Sequence, residues 1–283
     1  MTRQSYYQHQ WRQDFLSVEH QLVIEEVMHI RQNHRRMGTR KLLEKLQPFL
    51  LENQIKLGRD SLFNLLADNG LLVRKRKRTI STTMSYHRHH KWPNLIKEFI
   101  PTAPDQLYVS DITYWRTSRG FLFISLITDA FSRKIVGYNV ADTLETIASR
   151  RALEMALNNR QNIIQDLIHH SDRGIQYCSA EYIQVLQKNK IKISMTETSE
   201  PTDNAIAERV NGILKDEYLN YHQIKSLKEA RIVLEKSIQL YNEQRPHLSI
   251  GMLTPELVHH NNIKPDKLWK TYYRNSVILE SEL

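Results

Sequence analysis

The sequence is poor in the residues that staple or anchor a chain. A single cysteine, Cys178, stands among 283 residues, so no intrachain disulfide can form, and a reducing cytoplasm suits such a chain. The longest apolar run near the centre, Phe121–Ile127, is far too short to span a bilayer. Met1–Trp11 is polar and lacks a signal-peptide core, so a soluble intracellular protein without membrane contact is expected. Acidic residues are missing from one whole stretch: no Asp or Glu occurs from Asn69 to Lys97. No internal repeat, low-complexity tract or sustained heptad pattern is evident, which excludes a repeat solenoid and a long coiled coil.

What the chain does have is an uneven charge. Residues 1–100 carry 18 basic and 9 acidic side chains, whereas residues 101–283 carry 22 of each, so the net charge of +9 belongs to the N-terminal third. That asymmetry fits an acidic polymer as partner, most simply nucleic acid. The centre of the basic region is Arg74-Lys75-Arg76-Lys77-Arg78, continuing through Tyr86–Trp92 with His87, His89 and His90. It holds too little apolar surface to fold alone and reads as a phosphate-tracking linker over 74–104. Without cysteines beside them, the histidines read as phosphate or solvent contacts rather than metal ligands.

Hydrophobic periodicity divides the rest. Residues 1–73 read as a small all-α unit resembling a helix-turn-helix module. Its helices are expected over Val18–His29, from Thr39 as N-cap to a stop at Pro48, and from Asp60 as cap to Asn69-Gly70. From residue 105 the pattern turns to strands: Gln106–Trp115, Phe121–Thr128 and Lys134–Val140 with short turns predict an antiparallel meander. A helix over Leu144–Leu157, a strand at Leu167–His170, a helix over Ala180–Lys188 and a strand at Ile191–Met195 follow. Long helices over Asn204–Leu219 and Leu227–Asn242 close the pattern. The fold class is α/β: a core over 105–222 with a mixed five-stranded sheet covered by helices, and a helical extension over 223–283.

Three carboxylates stand in unusual contexts. Asp111 lies in an apolar, aromatic strand, Leu107–Trp115, where burying an unpaired charge is expensive. Asp172 follows His169-His170-Ser171 and precedes Arg173-Gly174, where a strand gives way to a turn. Glu208 falls on a helix whose Asn204 and Lys215 share its face, and 208 − 172 − 1 leaves 35 residues between the last two acids. An isolated acid is usually a turn former or a solvated group; together these three suit metal-assisted phosphodiester chemistry.

Tyr108–Tyr114, His170–Tyr177 and Asp203–Glu208 with Lys215 resemble the DDE motif of bacterial transposases of the insertion sequence three family, in the integrase-core frame known as OrfB. Asp129–Gly137, Tyr241-Asn242 with Arg245-Pro246-His247, and Thr254-Pro255-Glu256 are similar to further segments of that family; Glu200 stands where relatives often place glycine. The resemblance implies a ribonuclease H-like core with Asp111, Asp172 and Glu208 as catalytic and metal-holding residues. Two Mg²⁺ ions, or Mn²⁺ in their place, would sit at the triad. It implies DNA cleavage at insertion-sequence ends followed by strand transfer, on double-stranded DNA, by at least a dimer in the bacterial cytoplasm at the nucleoid. Asn204, Lys215, Arg74–Arg78 and Arg245 are the candidate DNA contacts, and His170 is either a support to the site or a buried strand histidine. A single cysteine excludes the His/His/Cys/Cys zinc domain of a retroviral-type integrase. The alternatives are a nuclease that cuts without joining, and an accessory DNA-binding partner active only when fused to the upstream-frame OrfA product.

Neutralising Arg74–Arg78 to glutamine tests the linker reading. Affinity for unrelated duplexes should fall together, and the slope of log K against log salt should flatten by roughly 0.9 for each phosphate no longer neutralised. Filter binding across a salt series measures it.

Overall fold

The computed structural model describes residues 3–74, 90–160, 166–197, 204–266 and 268, with the backbone alone for residues 5, 6 and 8–17. Helix α1 (Arg3–Asn33) is 31 residues long, far beyond the expected Val18–His29. No glycine or proline precedes Gly38, so no residue in that stretch breaks the helix. Helix α2 (Thr39–Glu52) runs through Pro48, which was expected to end it. Leu46 and Leu50 on either side are buried, and their packing outweighs the missing hydrogen bond. Gly38 and Gly58, not Thr39 and Asp60, occupy the N-cap positions of α2 and of α3 (Arg59–Asp68). Asp60 instead sits in the first turn of α3, where its charge suits the helix dipole. Val23, Val27, Leu42, Leu46, Leu62 and Leu66 knit the three helices into one apolar core.

The second unit is built on one five-stranded sheet of order β3-β2-β1-β4-β5. Strands β1 (Leu107–Thr117), β2 (Gly120–Asp129) and β3 (Ile135–Ala141) form the expected antiparallel meander. Strand β4 (Ile168–Ser171) pairs parallel with β1, and β5 (Lys192–Met195) parallel with β4. This is the ribonuclease H-like mixed sheet. Helices α4 (Thr146–Asn158) and α5 (Ala180–Lys188) cover one face, where Tyr108, Ile127, Leu153, Tyr182 and Ile193 meet. Gly137 lets α4 lie close, since a Cβ there would stand 2.1 Å from the Ala152 carbonyl oxygen. Helices α6 (Ala205–Glu217) and α7 (Leu227–Gln239) cover the other face, around Trp115, Ile124, Leu214 and Leu234.

After α7 the backbone widens into a π-helical turn, Leu240–Gln244, and α8 (Pro255–Asn261) is the last described element. Thr254 caps α8 with Pro255 in the first turn, as its sequence predicts. In the π turn the Asn242 amide bonds both backbone groups of Ile135, accepting from its N–H at 2.9 Å and donating to its carbonyl at 3.0 Å. Asp105, Asp129 and His259 form a buried group tying α8 to the sheet. Asp129 Oδ1 accepts from the Ser132 N–H and hydroxyl, both at 2.7 Å, and Oδ2 from the Asp105 N–H at 2.9 Å. Tyr108 donates to Asp105 Oδ1 at 2.5 Å.

The helical unit docks on the sheet unit through buried polar groups. Arg245 is fully buried and grips Glu217 through Nε (2.8 Å) and Nη2 (2.6 Å), while Lys41 Nζ lies 3.8 Å from the same carboxylate. His34, 2% exposed, meets the Tyr218 hydroxyl at 3.0 Å and Gln244 Oε1 at 3.4 Å. Arg35 stacks over the Tyr221 ring at 5.3 Å.

Burial, then the charge of Lys45, lowers the His34 imidazole to about 4. Its neutral form is therefore the one that fits the joint. Stability from this group is complete above about pH 6.5 and is lost as pH falls toward 4, by about 3 kcal/mol at roughly 1.4 kcal/mol per pH unit. Urea titrations of wild type and His34→Gln over that window should diverge by this amount; parallel curves would contradict the buried neutral imidazole.

Candidate active site

The topology brings the three acids together from three elements. Strand β4 pairs with β1 only over 107–110, so Asp111 is the first β1 residue beyond β4, and Asp172 is the residue that follows β4. Glu208 lies in the first turn of α6, which crosses β1 at that point. Asp111 is half-buried, Asp172 half-buried and Glu208 exposed, so the group opens outward on the Glu208 side.

Each carboxylate has a defined setting. Asn211, one turn beyond Glu208, donates to Asp111 Oδ2 at 2.7 Å. Asp172 Oδ1 accepts from the Gly174 N–H at 3.0 Å, and a Cβ on residue 174 would press on that oxygen at 2.9 Å. Burial pushes the Asp111 carboxyl up to about 7; the negative charge of Asp172 and then of Glu208 adds to this, while the Asn211 bond opposes it. A carboxyl with its midpoint there is part protonated at neutral pH, and a cation in place of the proton would relieve the same repulsion. The donor set, all carboxylate oxygen, suits a hard divalent ion such as Mg²⁺. Among the described residues the group whose potential ligand atoms lie within 4.8 Å of one another is Asp105, Asp129 and His259, and hydrogen bonds already occupy those two aspartates.

The remaining candidates separate sharply. Lys215 is half-buried on the same stripe of α6, within the field of Asp111, and burial lowers its ammonium while Asp111 acts to raise it. Asn204 is buried and donates to the Ser110 carbonyl at 2.9 Å, which seats the start of α6 on β1. Arg245, expected to contact DNA, is instead wholly enclosed in its pair with Glu217 and presents nothing to a phosphate. His170 is a buried strand histidine, hydrogen-bonded to Ser194 Oγ at 2.8 Å. Arg74 is exposed; Lys75, Arg76, Lys77, Arg78, Glu200, His87 and His89 lie outside the described residues.

Two groups at the site escaped the sequence reading. Asn211 was legible in principle, since 204, 208, 211 and 215 form one stripe at helical spacing. Tyr177 was not. Its ring is buried beside His169 and Tyr182, at 6.2 and 5.3 Å between centroids, and its hydroxyl has no hydrogen-bond partner among the described residues. Burial, followed by Tyr182 and the two acids Asp111 and Asp172, pushes that phenol up, which places it in their field.

Models of the integrase core domain match residues 101–201 and 189–255. The uncharacterized 31 kDa protein of insertion element IS600 from Shigella sonnei is 37% identical over 232 residues, 81% of this chain and 83% of that protein. The transposase for insertion sequence element IS629 from Shigella sonnei is 32% identical over 244 residues, 86% of this chain and 78% of its own. Transposase InsF for insertion sequence IS3A of Escherichia coli K12 is 32% identical over 182 residues, 62% of this chain and 63% of its own. With an integrase-core sheet, the acids gathered at the end of β4 and likeness over four fifths of its length, this chain belongs to the DDE transposases of the insertion sequence three family, enzymes of the polynucleotidyl transferase type.

Proposed function

We propose that this chain cuts DNA at the ends of an insertion sequence and joins the freed 3′ end to a target strand, with Asp111, Asp172 and Glu208 as the catalytic carboxylates. The observation that carries the reading is the convergence of the three acids from β1, the end of β4 and α6, close enough that Asp172 and Glu208 add to the burial that raises the Asp111 carboxyl. In the first step a water oxygen bonds to phosphorus, the bond to the 3′ oxygen breaks, and that oxygen leaves with a proton as a hydroxyl. In the second, the hydroxyl oxygen attacks a target phosphodiester and displaces its 3′ oxygen. No covalent protein–DNA bond forms, so no serine or tyrosine nucleophile is required. Two Mg²⁺ ions at the triad, with Mn²⁺ as substitute, would supply nucleophile activation and stabilisation of the leaving oxygen.

The chain's own residues set the geometry. Asn211 and the Gly174 N–H fix the orientation of Asp111 and Asp172. Glu208, exposed at the mouth, closes the group from α6, and Lys215 supplies positive charge for a phosphate on the same stripe. Asn204 serves by seating α6. Joining two ends requires at least two copies on DNA, and the basic 74–78 run with the helical unit holds the duplex. An upstream-frame OrfA product is the partner that would add end recognition.

Asp111→Asn, Asp172→Asn and Glu208→Gln should each abolish divalent-ion-dependent cleavage and strand transfer on end-containing DNA while leaving gel-shift affinity nearly intact. Strand transfer at the wild-type rate by any of the three would refute the assignment. Running the assay with and without the OrfA product separates a self-sufficient enzyme from one that works only as a fusion.

Asn211→Ala should keep the fold and raise the Mg²⁺ concentration needed for half-maximal cleavage by about 10- to 100-fold, the effect expected of a group that orients a metal-holding carboxylate. Loss of rate with an unchanged Mg²⁺ requirement would place Asn211 outside that role.

A further inference from the structure

We propose that the outer half of the β1–β2 hairpin is a stacking platform for unpaired DNA bases, on the sheet face opposite the one Asp111 shares with α6; this rests on the strand-transfer reading above. Past Ser110, strand β1 runs beyond β4 and continues to Thr117 with β2 as its one strand partner among the described residues; β2 pairs with β3 only from Phe123 on, so the tip from Trp115 to Leu122 projects beyond the sheet. One face of the projection is filled by Trp115, Leu122 and Ile124 against α6 and α7. On the other face the cover from α4 reaches Ser125, whose hydroxyl meets Ser149 Oγ at 3.1 Å. Beyond that point stand three aromatic rings. Tyr114 is packed edge-on between its cross-strand neighbour Phe123 and Phe121, at 5.3 and 6.3 Å between centroids.

Tyr114 is 42% exposed and Phe121 57% exposed, so these rings do not serve the core. Arg116, the cross-strand partner of Phe121, and Arg119 in the turn are both exposed, and no Asp or Glu occurs from Ile112 to Thr128. Exposed ring surface flanked by guanidinium groups, with no acid in the hairpin itself past Asp111, is complementary to bases linked by phosphates. A duplex keeps its base faces stacked on one another, so the occupant that can use the rings is a single-stranded or frayed stretch. Tyr114 lies three residues from Asp111, about 10 Å along the strand, and this odd offset puts the two side chains on opposite faces of the sheet, so the platform takes a strand that passes around the border of the hairpin.

The test is fluorescence anisotropy of the full chain with oligo(dT) and with a blunt duplex of equal length, in chelator. Tyr114→Leu and Phe121→Leu should each weaken oligo(dT) binding about 5- to 150-fold and leave the duplex unchanged, whereas Tyr114→Phe should bind both as wild type does. Melting temperatures control for folding. Wild-type failure to bind oligo(dT), unchanged affinities in the leucine variants, or equal loss on both probes would each overturn the proposal. A shift in oligomeric state by light scattering, with oligo(dT) affinity kept, would also overturn it and make this face a contact between copies. Because binding is read without divalent ions, failure of the triad chemistry would leave this result standing, and the converse also holds.

Discussion

The structure depends on how one helix lies across one strand. Helix α6 is fixed to β1 at two asparagines, Asn204 on the Ser110 carbonyl and Asn211 on the Asp111 carboxylate. Its apolar side sinks Val210, Ile213 and Leu214 into the core shared with α7. Each such burial contributes about 1.5–3 kcal/mol, enough to offset the cost of holding carboxylates near one another. At its far end Glu217 takes Arg245 and lies near Lys41, so the same thirteen residues also join the helical unit to the sheet. A displacement of α6 would therefore disturb the acids and the inter-unit joint together.

The Glu217–Arg245 pair, made within the sheet unit, shows how the anchor that meets Lys41 of the helical unit is held. Burial alone would raise this carboxyl, but hydrogen bonds and charge from Arg245, with the charge of Lys41, bring it below the usual range. A buried pair of this kind is weak evidence of net stability, yet removing one partner strands the other charge at a cost of roughly 3–5 kcal/mol. Its value here is positional: a bidentate guanidinium fixes direction as well as distance.

Much of this was legible in the sequence because the relevant signals are local. Alternation and turns gave the meander and the helix over Ala180–Lys188 nearly to the residue, and the stripe of α6 could be drawn from spacing. Errors arose where a distant partner decides the outcome. Pro48 reads as a helix stop until the packing of Leu46 and Leu50 is known. Arg245 reads as a DNA contact because sequence shows its charge but not Glu217, 28 positions away. The charge count overstates the positive surface left for a partner for the same reason. Arg31, Arg36, Lys41 and Lys45 belong to the basic N-terminal third, yet they bond Leu71, Arg74, Glu217 and Gln244 within the protein.

The Asn242 amide on Ile135 has a consequence for assembly. Strand β3 is an outermost strand of the sheet, and an open strand border invites pairing with a strand of another molecule. By offering one donor and one acceptor in the manner of a neighbouring strand, Asn242 occupies the border where β3 begins. Sheet extension between molecules is therefore blocked at that residue, where an incoming strand would have to displace an amide already paired with both backbone groups of Ile135.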